Sequence, residues 1–259
     1  MRISKYKPLE EFPGWQRAPA YLESFIVADS LRAVADIGGG ANPLLSQEFV
    51  QKHGLDYCVL DVSAAELAKA PPWCRTLEVD ITAPDAEFDA RTQGLRFDLV
   101  FSNMLMEHLR DGRQAHRNIH RMLRPGGLSI HFFPVPNNLP LRVNKWAPER
   151  LSLALLRLAQ PTRDLKGLHG KFPAYYDLCG NPGPRLTAEF KSLGYEVVEH
   201  TGYIGHDYYA RLPVLRELEH LARRLLLWLQ VPMTSFVLIA LRKRADEAVT
   251  PRQDRAATA

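Results

Sequence analysis

The sequence has little cysteine: Cys58, Cys74 and Cys179 are the only three among 259 residues. None stands in a Cys-x-x-Cys pair and the number is odd, which excludes a disulfide framework or a cysteine zinc site. Reduced thiols in a cytoplasmic protein are expected instead. Long hydrophobic runs are missing too. The longest uncharged apolar stretch, Leu225 to Leu241, is broken by Pro232 and is shorter than the roughly 20 residues a spanning helix needs. The first fifteen residues carry charges and prolines without an apolar centre, so a secretory leader is not expected. An excess of one charge is lacking as well: the net charge of +4 argues against nucleic acid as a partner. No metal-ligand spacing is found, and no metal is assigned. The only biased stretch is the polar, alanine-rich tail 245–259, expected to be disordered.

What is present is an alternation of short apolar runs with helical patterns, which predicts a parallel sheet with crossover helices. Strands are expected at 33–37, 57–60, 76–79, 97–102, 128–133, 196–203 and 233–241. A helix is predicted to start at Pro43, carry Leu44, Leu45, Phe49 and Val50, and stop at Gly54. Ser63 and Glu66 fit a capping box. Asp111 can cap a helix that ends at Arg124-Pro125-Gly126-Gly127. Amphipathic helices are expected at 149–160, at 187–193 and along Leu215, Leu218, Ala222, Leu225 and Leu229.

The chemistry gathers at strand ends. Asp36, Asp61 and Asp80 each close a predicted parallel strand, and open α/β sheets bind ligands at those carboxyl ends. The first strand runs into the loop Gly38-Gly39-Gly40-Ala41-Asn42, where glycine lets the backbone turn and approach a ligand. Asp61, about 20 residues further on, is placed to accept both hydroxyl protons of a ribose. Asp80 is placed to accept from an exocyclic amine such as that of adenine.

These residues resemble the class I S-adenosylmethionine (SAM)-dependent methyltransferases. The run Asp36-x-Gly38-x-Gly40 looks like the first motif of that family, and Asp61 and Asp80 like its second and third. Phe97-Asp98-Leu99-Val100-Phe101-Ser102-Asn103 looks like its fourth. Leu123-Arg124-Pro125-Gly126-Gly127 matches the turn before the fifth strand, and Met106-Glu107-His108-Leu109 is common in small-molecule members. The resemblance spans residues 30 to 135. Asn42 stands where the family often has a third glycine, and asparagine tolerates left-handed backbone. The resemblance implies a Rossmann-like mixed α/β sheet of seven strands in the order 3-2-1-4-5-7-6, the last antiparallel, with the last helix inserted between strands six and seven. It implies SAM as cofactor, held by Asp36, Gly38, Gly39, Gly40, Asn42, Asp61 with Val62, Asp80 with Ile81, Ser102 and Asn103. The expected organisation is a helical lead-in over 1–30, a SAM-binding core over 31–136, and acceptor-binding or lid insertions with the last strands over 137–244.

A hydroxyl acceptor wants a general base. His108 follows the fourth strand. His169 lies among Tyr175, Tyr176 and Asp177, and His206 precedes Asp207, Tyr208 and Tyr209. His108 and His169 are the first candidates and His206 the second, while His131, alternating within an apolar strand, reads as a packed histidine. His108 has a second reading as a brace for its helix.

Residues 141–173 carry seven Lys or Arg against two Asp or Glu, and the last helix adds Arg216, Arg223 and Arg224 beside Trp228. Such helices can meet an anionic membrane or a phosphorylated carrier. The loop 169–177 looks similar to that of methyltransferases accompanying bacterial surface-polysaccharide assembly. The expected function is therefore O-methylation of a saccharide, free or carrier-linked. Another small-molecule acceptor, a natural product or lipid, is the alternative. A nicotinamide oxidoreductase fits less well, because Pro43 takes the third glycine position of its fingerprint. The Asn/Asp-Pro-Pro-aromatic motif of amino-methylating DNA enzymes is replaced by Asn103-Met104-Leu105-Met106.

Overall fold

The computed structural model describes residues 5–138, 173–206, 208–209 and 212–245. The expected helix over 149–160, His169 and the tail beyond 245 lie outside them.

The expected first strand, Ala33–Ile37, has every residue buried, as a central parallel strand should. It is β2 of the structure, because a short strand β1 (Tyr6–Pro8) precedes it. The others are β3 (Asp56–Asp61), β4 (Arg75–Glu78), β5 (Phe97–Asn103), β6 (Leu123–Pro134), β7 (Tyr195–Ile204) and β8 (Phe236–Lys243). The sheet order is β4-β3-β2-β5-β6-β8-β7-β1. Its first seven members reproduce the order implied by the resemblance, and the strand count is corrected from seven to eight. The extra strand pairs in parallel with β7, Tyr6 opposite Gly202. A side chain at Gly202 would strike the Tyr6 ring and Thr234, so that glycine lets the edge close. The expected helical lead-in thus opens with a strand, followed by two 3-10 turns and helix α1 (Ala18–Ala28).

From β4 to β6 all strands run in parallel, while β8 is antiparallel to both β6 and β7. The carboxyl ends of β2, β3, β4, β5, β6 and β7 therefore share one edge of the sheet. Alternate residues of each strand feed two cores. Ala35, Cys58, Leu60 and Val100 pack with Phe88, Ile119 and Phe190 on one face. Val34, Val59, Leu99 and Phe101 pack with Leu22, Ile26 and Leu45 on the other. Each fully buried leucine or phenylalanine contributes about 1.5–3 kcal/mol.

Helix α2 spans Gln47–His53 and starts later than Pro43, with the Ser46 side chain accepting from Phe49 N and Gly54 closing it in left-handed conformation. In α3 (Ala64–Leu67) the Ser63 side chain accepts from Glu66 N. A further helix, α4 (Asp85–Thr92), buries only Phe88 and Thr92. Asp111 caps α5 (Gly112–Met122) by accepting from Gln114 N. The Arg124–Gly127 turn is not a separate loop but a bulge inside β6: Phe97 opposes Leu123, and Leu99 opposes Leu128. Helix α6 (Pro184–Ser192) precedes β7. Helix α7 (Pro213–Trp228) is inserted between β7 and β8 and has no buried residue.

Candidate functional site

The loop after β2 is fixed from beneath. Asp36 is 3% exposed. Its Oδ2 accepts from Leu44 N at 2.9 Å and from the Tyr57 hydroxyl on β3 at 2.6 Å. The Tyr57 oxygen in turn accepts from Leu44 N at 3.1 Å. Burial pushes the Asp36 carboxyl up to about 6, and the two hydrogen bonds pull the other way. Asp36 thus ties down the far end of the loop; its carboxylate points into the protein.

Gly38 and Gly40 adopt positive φ, +77° and +48°. A Cβ at Gly38 would come within 3.0 Å of Leu105, and one at Gly39 within 2.9 Å of the Asp36 carboxylate. A Cβ at Gly40 would stand 3.2 Å from Asp61 Oδ2. The loop therefore packs closely against the Asp61 carboxylate, an approach that glycine at position 40 allows. Asn42 is not left-handed, contrary to the reason for expecting it to be tolerated. Its N–H donates to Gly39 O at 2.8 Å and closes the turn without a third glycine.

At the end of β3, Asp61 Oδ1 accepts from Ser63 N at 2.9 Å, and Val62 beside it is 66% exposed. Beyond β4, Asp80 is exposed, and its Oδ1 accepts from both Thr82 N and Thr82 Oγ1 at 2.7 Å. Ile81, expected at the cofactor, is buried in the core and its carbonyl accepts from Asn118 Nδ2. Ser102 also turns away from the edge. Its hydroxyl lies 2.8 Å from His131 Nδ1, and Ser129 Oγ lies 2.6 Å from His131 Nε2. His131 is a packed histidine, its proton affinity pushed well down by burial and by nearby His116. Asn103 behaves differently: its Oδ1 is buried and has no hydrogen-bond partner among the described residues.

Past β5 the chain turns through a 3-10 turn, Met106–His108. Met104 has φ +59°, a conformation β-carbon-bearing residues rarely adopt. His108 Nδ1 lies 2.9 Å from Pro173 O. A carbonyl oxygen can only accept, so Nδ1 carries the hydrogen and the neutral ring keeps its lone pair on Nε2. Glu107 O accepts from Tyr175 N at 2.8 Å and Tyr176 N at 3.1 Å. Asp177 Oδ2 accepts from Gly112 N, and Arg110 donates to the Tyr175 hydroxyl at 2.8 Å. The 173–177 segment is thereby fastened over the end of β5.

His206 sits elsewhere. It follows β7, which is separated from β5 by three strand spacings, about 14 Å in total. There it stacks on Tyr208 and borders a cleft lined by Glu10, Tyr209, Arg216, Glu219, His220 and Arg223. The structure brings Asp36, Asp61, Asp80, Asn103 and His108 to one edge and leaves His206 to the side. Sequence reasoning gave no role to Tyr57, Thr82 or Glu107. Only Glu107 left a trace, as part of the quoted run.

A glycine loop facing an acid across β2 and β3, in a sheet of this order, defines the class I methyltransferase fold. Residues 35–129 match the family model described as a methyltransferase domain. Among solved structures, the chain is similar to one described as a sarcosine dimethylglycine methyltransferase from Galdieria sulphuraria. Identity is 12%, coverage 89% of this chain and 86% of that one, and the TM-score 0.52. A SAM-dependent methyltransferase from Archaeoglobus fulgidus is similar at 15% identity, covering 90% of this chain and 97% of that one, with a TM-score of 0.50. No curated protein matches the chain. The matched segment is thus a methyltransferase domain, and the chain shares the fold of these SAM-dependent methyltransferases.

The residues present fit that cofactor. Asp61, a carboxylate at the end of β3 close beside the glycine loop, suits the hydroxyls of a ribose, and the unpartnered Asn103 Oδ1 suits a donor such as an ammonium group.

Proposed function

We propose that the protein O-methylates a saccharide, with His108 receiving the hydroxyl proton. The observation that carries this is the contact between His108 Nδ1 and Pro173 O. It fixes the tautomer in which Nε2 is basic, at the carboxyl end of β5, one strand from the glycine loop. An amine or thiolate acceptor would need no such base. When bound, SAM supplies a methyl group made electrophilic by a sulfonium. The chain does the rest: Asp61 and Asp80 hold the nucleoside end, Asn103 takes a hydrogen from the amino-acid end, and His108 takes the proton as the acceptor oxygen loses it. Positioning of this kind is worth roughly 7–11 kcal/mol.

A saccharide is favoured by the cleft at the end of β7. Its lining sets the Arg223–Glu10 ion pair, Glu219 and Arg216 beside the rings of Tyr209 and His206. That mixture suits a polyhydroxylated group lying beyond the methylated one. His206 would then be a binding residue, because three strands separate it from β5. A carrier-linked acceptor and contact with an anionic membrane go together in this reading, and α7 supports the contact. Its Val214, Leu218, Leu221, Leu225 and Trp228 are each more than half exposed, with Arg216 and Arg224 on the same helix. No helix among the described residues is long and apolar enough to cross a membrane.

The test is release of S-adenosylhomocysteine with pooled nucleotide sugars, lipid-pyrophosphate sugars and simple phenols as acceptors. Turnover with sugars is expected, and His108→Gln is expected to reduce kcat by 100-fold or more while binding SAM normally. Turnover confined to phenols or amines would remove the saccharide.

A further inference from the structure

Glu107 stands beside the proposed base and carries an unsatisfied charge-bearing atom. It is 3% exposed, and its Oε2 has no hydrogen-bond partner among the described residues. Its Oε1 lies 3.5 Å from His108 Nε2, too long for a strong hydrogen bond but within ion-pair range. A buried carboxylate without partners is costly, and a residue that only filled space would be better served by leucine or methionine. The apolar neighbours would accept one: Met106 before it is buried in the core, and Leu105 and Leu109 pack against that core.

The surroundings give the carboxyl little competing help. Tyr176 and Cys179 lie close enough for their own ionisation to be opposed by it, and Asp177 likewise opposes the Cys179 thiolate. Arg110, the nearby cation in sequence, is turned to Tyr175, donating to its hydroxyl and lying 5.1 Å from its ring centroid. Burial pushes the Glu107 carboxyl up, and its own backbone N–H and then His108 partly offset this. Among the described groups the cation that meets Glu107 is therefore the His108 ring in its protonated form.

We infer that Glu107 is a positioning residue whose carboxylate supplies the counter-charge for the His108 imidazolium formed when the acceptor hydroxyl gives up its proton. His108 Nδ1–H stays on the Pro173 carbonyl throughout. The proton leaves the acceptor oxygen for Nε2, and the new positive charge is met by Oε1 at 3.5 Å. Before transfer the site holds one negative charge, and afterwards an ion pair. The inference rests on His108 being the base, but the link between the two side chains can be measured without turnover.

The experiment is an NMR titration of the His108 ring, labelled with carbon-13 at Cε1, in the full-length protein without ligand. The parent is compared with Glu107→Gln. The His108 signal is expected to titrate about one pH unit lower in Glu107→Gln, because the neutral amide no longer favours the protonated ring. The acidic limb of kcat is expected to move by the same amount, with KM for SAM within twofold of the parent. Should Glu107→Gln fail to fold, Glu107→Asp, which keeps the charge and withdraws it by one methylene, is expected to give a smaller displacement of the same sign. An unmoved His108 titration in a folded variant overturns the inference. A displaced titration together with full activity of His108→Gln upholds the pairing and overturns the assignment of the base instead.

Discussion

The Tyr57 hydroxyl donates to Asp36 Oδ2 at 2.6 Å, joining the second residue of β3 to the fourth residue of β2. Through Leu44 N, which donates to both groups, this bond sets where the glycine loop ends. In Tyr57→Phe, Asp36 keeps Leu44 and loses its other donor. Hydrogen bonds to a charged partner contribute about 1.5–3 kcal/mol. We expect a loss of that order in urea unfolding and a several-fold weaker affinity for S-adenosylhomocysteine by calorimetry. The affinity should also begin to fall at a higher pH than in the parent, since one of the bonds that oppose the raised carboxyl value is gone. Unchanged affinity from pH 6 to 8 would show that the loop holds its shape without Asp36.

Asp61 and Asp80 should separate the two halves of the nucleoside. Asp61→Asn keeps the size of the side chain and removes a charge-assisted acceptor, so affinity for S-adenosylhomocysteine should fall roughly tenfold or more. Asp80→Asn should weaken binding less, because Asp80 is exposed and water competes for its oxygens. Titration of both variants with adenosine alone is the check, and equal losses would contradict this ranking.

Acid should destabilise the protein well before its carboxylates are neutralised. Burial lowers His116 to about 3 and His120 to about 4, and drives His131 well below its ordinary value. Each of these rings binds its proton near pH 6.5 only when the chain is unfolded. Their contribution is therefore complete above pH 6.5 and is lost as the pH falls towards the folded values. The slope is about 1.4 kcal/mol per pH unit for each histidine. Asp36 and Glu107 oppose this, because their raised values add stability as the pH falls, but they are two carboxyls against four lowered histidines, His200 included. Tm should drop steeply between pH 6.5 and 5. His116→Phe should flatten the drop, since His116 meets Phe190 edge-on at 5.0 Å and an aromatic ring can keep that contact. A Tm independent of pH over that range would mean the rings are not buried neutral.

The exposed stripe of α7 predicts binding to vesicles containing anionic phospholipid. Leu221→Glu and Trp228→Glu, at positions 66% and 79% exposed, should abolish sedimentation with vesicles and leave Tm within about a degree. If neither variant changes sedimentation, the membrane contact does not run through this helix.

The sheet was legible because its central strands are short apolar runs closed by an acid, a glycine, an asparagine or a proline. β1 was not, since Tyr6, Lys7 and Pro8 have no periodicity to read, and only Tyr6 is buried. The start of α2 was misplaced for a tertiary reason. Asp36 and Tyr57 hold the Leu44 and Leu45 amides in the loop that follows Pro43, and the helix begins only after Ser46, whose side chain accepts from Phe49 N. α4 hides because two buried residues in eight leave almost no stripe. At the site, the acids and glycines could be read in order along the chain. The partner of His108 could not, because Pro173 is 65 residues away and only the fold brings them together.

The three residues of β1 have a consequence out of proportion to their number. They pair with the last three residues of β7, Gly202 to Ile204, whose amide and carbonyl groups would otherwise be open to a neighbouring chain. A variant starting after Pro8 would keep both hydrophobic cores and every group at the carboxyl edge, yet expose a ready template for intermolecular pairing. Such a truncation is expected to self-associate with rising concentration rather than unfold, so light scattering, and not circular dichroism, is where its defect should emerge.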